Sequence, residues 1–377
     1  MRCLTLLSTL VLVAPAVRAA DIHVHPTSPD ALQLAIDAAA PGDTLFIHGG
    51  TYSAITITKP LELVADPVAS VEGVNTPSSP QWVLQRPITM AGPNAGTVTL
   101  QNIRTVGVYN VTIHFARAEP LVKVDGFDRA VFIGCDIREP QYIADGHIDG
   151  APAIQATAPE VFLFDCTIRA LNPATAMTAV PGTRPAIDAA NSTVIASDCD
   201  IEGGFFPFII LFNCTQPAPP DALGAAGVVA DRLFQTGGSI RGGRGPMLFC
   251  SGGTPPPTLP PGPAFIVNQR VVQRHSLDQL TRPTVGGTWR IDVTTGKLGA
   301  LLIVGHELGA LNFDPALGWN LFSPSRILAY LPVAPTDQHV ELSIPPWATA
   351  FAGIDWLAAL YDHDEGRLGG PVMAKLY

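Results

Sequence analysis

VFIGCDI (131–137), FLFDCTI (162–168), IASDCDI (195–201) and FQTGGSI (234–240) are four copies of one short pattern. Aligned on their last residues, Ile137, Ile168, Ile201 and Ile240, they place Cys135, Cys166, Cys199 or Gly238 two positions earlier. Ile133, Phe164, Ser197 or Thr236 stands four positions earlier, and Val131, Phe162, Ile195 or Phe234 six. Read as one strand, this is period two with a single buried face. A weaker copy, YNVTI, ends at Ile113. A hairpin sheet does not restore the same face with the same pattern after gaps of about thirty residues. A chain that coils and returns to one wall does, stacking parallel strands about 4.8 Å apart. The prediction is a right-handed parallel β-helix with an isoleucine ladder beside a cysteine ladder, the cysteines being small core residues.

A second strand precedes the first in each coil. It starts at Pro120-Leu121-Val122, Pro152-Ala153-Ile154 and Pro185-Ala186-Ile187. The open end of such a coil needs a cap, and residues 28–40 supply a helix. Ser28 is its N-cap candidate, Pro29 its first position, and Leu32, Ile36 and Ala39 its apolar stripe. ALQLAIDAAAPGDTLFIHGGTY (31–52) followed by ITITKPLELVA (55–65) resembles the opening of the pectin-lyase-like superfamily, including its NosD-like group. The resemblance covers residues 21–273 and implies the fold, not a reaction.

Residues 251–263 are rich in Pro and Gly. From about residue 283 short apolar or alternating runs predict a small β-sandwich. GTWRIDVTTGKLGALLIVG, LFSPSRILAYLPV and ELSIPPWATAFAGIDWLAALYD resemble a terminal domain of exported proteins from Planctomycetes and related bacteria. The division is a leader over 1–19, a β-helix over 20–275, a linker over 276–282 and the sandwich over 283–377.

The leader rests on Arg2, an apolar run from Cys3 to Val17, and a small-x-small cleavage site at Val17-Arg18-Ala19. It predicts export to the periplasm, the cell surface or the medium. No stretch reaches spanning length. The net charge of −10 argues against nucleic acid as a partner. Cys214 and Cys250 fall at similar offsets after their isoleucines and form a candidate disulfide.

Because the isoleucines face inward, their neighbours face outward. One external ladder is then His114, Arg138, Arg169, Glu202 and Arg241; the other is Thr112, Asp136, Thr167, Asp200 and Ser239. Guanidinium forks suit carboxylate or sulfate groups. Long excursions leave each coil just beyond this ladder and predict a wall of loops beside it. In that wall Tyr142 and His147 are candidate glycan contacts, and Asp145 with Asp149 a candidate Ca²⁺ pair. His23, His25 and His48 gather near the cap at a metal-ligand spacing. Two readings follow. One is a non-catalytic exported protein that binds a polysaccharide or surface polymer along Arg138, Arg169 and Arg241. The other is a polysaccharide lyase on an acidic glycan with Ca²⁺-assisted β-elimination. The motifs of polygalacturonases and pectate lyases are missing, which favours the first.

Overall fold

In the computed structural model the described residues are 20–73, 75–78, 81–84, 88–93, 95–107, 115–138, 147–170, 184–204, 208–211, 224–244, 247–250, 261–273, 277–279, 284–294, 297–306, 308–314, 318–322, 327–335, 339–346, 348, 355–362, 367–368 and 372–375. The chain is a parallel β-helix followed by an antiparallel β-sandwich. Its largest sheet has 18 strands and curls through successive coils. Three walls are built from register-matched strands. The first holds Ile55–Ile57, Ile88–Ala91, Val122–Asp125 and Ile154–Ala156, so the proline-led starts fall where expected. The second holds Thr44–Ile47, Arg129–Ile133 and Glu160–Phe164; the third holds Asp136–Ile137, Thr167–Arg169, Asp200–Glu202 and Ser239–Arg241. The connections are taken as right-handed, the hand that nearly all parallel crossovers adopt.

Between the second and third walls the pattern departs from the single-strand reading. Asn102, Gly134, Asp165, Asp198 and Gly237 stand one above another with φ of 55°, 60°, 51°, 56° and 58°. Asn, Asp and Gly tolerate this left-handed region at least cost. Each such residue bends the chain and reverses the inside–outside phase. Cys135 and Ile137 therefore point into the coil with Ala130 and Phe132, whereas Val131 and Ile133 point out. The expectation that positions two, four and six before the isoleucine share its face holds only for the cysteines.

The interior ladder on the third wall is Val71, Thr105, Ile137, Ile168, Ile201 and Ile240. The copy preceding Ile137 is thus Thr105, not Ile113, and Ile113 lies outside the described residues. Each buried isoleucine contributes about 1.5–3 kcal/mol. Cys135, Cys166 and Cys199 are buried and reduced. Burial pushes the thiols of Cys135 and Cys166 well above their ordinary range, so the reactive thiolate is suppressed. A thiol reagent such as dithionitrobenzoate should label these three only at the rate of unfolding. Fast labelling in native buffer would contradict the ladder.

The capping helix is Ala31–Ala38, with Leu32 and Ile36 buried against the first coil. Asp30 occupies the N-cap position and makes no side-chain cap hydrogen bond; Ser28 instead accepts the Ala31 N–H through its carbonyl.

The antiparallel unit starts at Leu277–Gln279, which pairs with Thr288–Val293, and Thr288–Val293 pairs in turn with His339–Ser343. The second sheet centres on Ala300–His306 and Asp355–Asp362. Leu308–Asp314 and Gly318–Phe322 form a separate two-stranded antiparallel hairpin. Trp356, Ala358 and Leu360 face the sandwich core with Trp289, Ile291 and Leu302. Leu357 and Ala359 face the other way and pack on Val131, Ile133, Phe162, Phe164, Ile195 and Phe234. The sandwich therefore docks on the outside of the second wall. This accounts for two runs that do not alternate, VFLF (161–164) and WLAAL (356–360): both are buried on two faces.

Candidate functional site: an external file of arginines

On the third wall the inward isoleucines turn their flanking residues to the outside. Register puts Arg104, Asp136, Thr167, Asp200 and Ser239 in one column. Arg169, Glu202 and Arg241 follow one another in the next, with Arg138 directly after Ile137 on the neighbouring strand. The expected basic and acidic ladders are thus adjacent files on one surface. His114 and Thr112 lie outside the described residues.

The two files are cross-linked. Asp136 Oδ2 lies 2.7 Å from Arg138 Nη2 and 3.5 Å from Arg104 Nε. Arg169 reaches Asp200 and Glu202 on the next coil, both at 3.1 Å. Arg241 approaches the same two carboxylates from the coil beyond, at 2.8 and 3.8 Å, and Arg244 lies 3.7 Å from Glu202. Ser239 Oγ donates to Asp200 Oδ1 at 2.6 Å. Burial pushes the Asp200 carboxyl upward, but the Ser239 hydroxyl and the Arg241 and Arg169 charges outweigh it and leave the group below its ordinary value. It stays ionised until well into acid.

Glu202 is only 8% exposed, while the arginine side chains are 41–78% exposed on the wall from Arg169 to Arg244. Glu202 is the shielded member, Asp136 and Asp200 are partly exposed, and the guanidiniums are the most accessible groups. Such half-exposed pairs add about 0–1 kcal/mol each to stability. Their larger effect is to hold flexible arginines in one geometry, with donor groups to spare. Five arginines against three carboxylates leave the strip positive on an acidic chain. Arg169 Nε and Asp136 Oδ1 are buried without a hydrogen-bond partner among the described residues.

Arg104 and Arg244 escaped the sequence reading. Arg104 carried a signal: Asn102-Ile103-Arg104-Thr105 repeats the frame of Gly134-Cys135-Asp136-Ile137, a left-handed residue followed by inward, outward and inward positions, with Thr105 in place of the isoleucine.

The predicted loop wall contains short strands. Gln81–Leu84, Phe115–Ala118 and His147–Asp149 run parallel in a separate small sheet, which Asn75–Ser78 joins antiparallel to Gln81–Leu84. His147 stands in register with Phe115 and Asp149 with Arg117. Tyr142 and Asp145 lie outside the described residues, as does Cys214. Cys250 ends a strand, Met247–Cys250, paired with Phe208–Leu211. His25 stacks on His48 with ring centroids 4.0 Å apart, and His23 Nδ1 lies 3.3 Å from His48 Nε2. No group of three or more His, Cys, Asp or Glu suited to a metal ion occurs among the described residues. No helix among them is long and apolar enough to cross a membrane.

Comparison with protein families, curated proteins and solved structures finds no match.

Proposed function

We propose that this is an exported, non-catalytic binding protein of the pectin-lyase-like kind, with the arginine file holding a polysaccharide or cell-surface polymer. The observation that carries the reading is the row Arg104, Arg138, Arg169, Arg241 and Arg244, half-exposed and braced from beneath by Asp136, Asp200 and Glu202. Side chains already ordered lose less freedom when a ligand binds. Guanidiniums present parallel donors to carboxylate or sulfate; coils rise by about 4.8 Å, and with Glu202 between Arg169 and Arg241 a linear polymer meets the arginines at one-coil and two-coil spacings.

The test is retention on immobilised pectic, alginate and sulfated polysaccharides. Wild-type protein should be held by at least one acidic polymer, and release should come with rising salt. Arg169→Ala with Arg241→Ala should weaken retention about tenfold or more, since hydrogen bonds to charged groups contribute about 1.5–3 kcal/mol each. Equal retention of the double variant would remove the file from the reading. Unsaturated products in the same incubations, lost on adding a chelator, would replace it with the Ca²⁺-assisted lyase.

A further inference from the structure

We infer that the chain is cut between Ala19 and Ala20 and that the ammonium group created there docks on Asp43, fastening the first strand to the cap. The inference rests on reading residues 1–19 as a cleaved leader and is independent of what the arginine file binds.

Two observations meet at one bond. The sequence places a small-x-small site at Val17-Arg18-Ala19. The structure then gives the next residue a partner: Ala20 N donates to Asp43 Oδ1 at 2.8 Å. The other oxygen, Oδ2, accepts from Ala40 N at 2.7 Å, in the turn that follows the capping helix. Asp43 therefore ties the start of the first strand to the end of the cap, and it is 7% exposed.

Among the described residues no positive charge is bonded directly to this carboxylate. Both of its described donors are backbone N–H groups. The Lys59 charge is felt there, but its ammonium donates to the carbonyls of Asp37, at 3.0 Å, and Ala39. Glu62 accepts from the Thr44 hydroxyl at 3.3 Å, and Asp21 is exposed at the strand start. Asp37 accepts from Gln33. Hydrolysis of the Ala19–Ala20 peptide bond by a leader peptidase uses one water. It leaves a carboxylate on Ala19, which departs with the leader, and an amine on Ala20, which is protonated at neutral pH. The contact, already assisted by the carboxylate's charge, then carries charge on both partners and becomes an ion pair.

The ammonium gains a partner on folding, so its pKa rises above the unfolded value of about 7.7–8.0. Its contribution is fully present below that value and is lost as pH climbs through the raised one. The Asp43 carboxyl is held below its ordinary value by the Ala20 and Ala40 N–H groups, so its own contribution disappears only in acid.

The first measurement is N-terminal sequencing of full-length protein produced in an exporting host. Ala20 as the first residue is expected; any other start, or retention of the leader, overturns the inference at the cleavage step. The second compares the protein beginning at Ala20 with one carrying Gly-Ser before Ala20, which keeps the N–H and moves the charge away. The mature form should melt about 1–3 °C higher at pH 7, with the difference vanishing above pH 10. Asp43→Asn should abolish the difference, and if that variant does not fold the two wild-type forms decide alone. Identical melting across the pH range overturns the docking. Neither result bears on glycan retention.

Discussion

Phe162→Ala should lower stability by about 3–5 kcal/mol and split one cooperative unfolding transition into two. Phe162 is fully buried, yet it points away from the coil interior. Its ring lies on the outer face of the second wall, with Arg129 stacked over it at 5.0 Å and Phe164 beside it at 6.3 Å. Arg129 is itself held by Glu160 at 2.7 Å. The cover is the sandwich strand Asp355–Asp362, through Leu357 and Ala359. Truncating Phe162 therefore leaves a hole at the junction of the two units. The control is Phe132→Ala, one strand away in register with Leu163 and pointing into the coil. That variant should lose comparable stability while the units still melt together. Differential scanning calorimetry distinguishes the two. A loss below about 1 kcal/mol for Phe162→Ala, with melting unchanged, would mean the wall is not covered as described.

The same wall shows what the sequence made legible and what it did not. The isoleucines repeat because the coil returns to one place, and that repetition identifies the fold without any knowledge of contacts. The cysteines two residues before them share their face for the same reason. The error at Val131, Phe162, Ile195 and Phe234 has a local cause. A period-two reading assumes one uninterrupted strand, and a single left-handed residue restarts the count. Asp165 and Asp198 were visible as the residue type that takes this conformation, but in sequence they resemble ordinary outward polar positions. The doubly buried character of those runs could not be read at all, because the covering strand lies almost two hundred residues away. The arginine file was legible because it follows directly from the isoleucines, and Glu202 was legible as a neighbour that relieves their charge; the bracing by Asp200 was not, because it joins the two files across coils. Arg244 is reached only after a turn whose path depends on Gly242 and Gly243, and nothing in the repeat announces it.

That turn carries the second large effect. Gly243→Ala should cost about 3 kcal/mol, at the upper end of what overpacking produces. At the corner after the third wall the chain forms a hydrogen-bonded column: Ala225 N donates to Gly204 O at 2.8 Å, Gly243 N to Ala225 O at 2.8 Å, and Gly262 N to Gly243 O at 2.9 Å. A methyl group on Gly243 would sit 1.9 Å from Gly204 O, and one on Gly224 would sit 1.9 Å from Gly243 O. What lies in the way is backbone, so no side chain can swing aside. The coils would have to part, breaking the column that spaces them. Gly42→Ala is the useful contrast, since a methyl there meets nothing within 4 Å and suffers only from a φ of +92°. Its cost should stay near 1–2 kcal/mol. Urea unfolding of the two variants measures both, and equal losses would show that the column has slack. The consequence reaches the arginine file, because Gly242 and Gly243 separate Arg241 from Arg244, and both arginines converge on Glu202. Moving the backbone between them draws two guanidiniums away from the carboxylate that positions them. If the file is the binding surface, Gly243→Ala should weaken polysaccharide retention with every arginine still in the chain, whereas Gly42→Ala, at the opposite end of the coil, should leave retention intact.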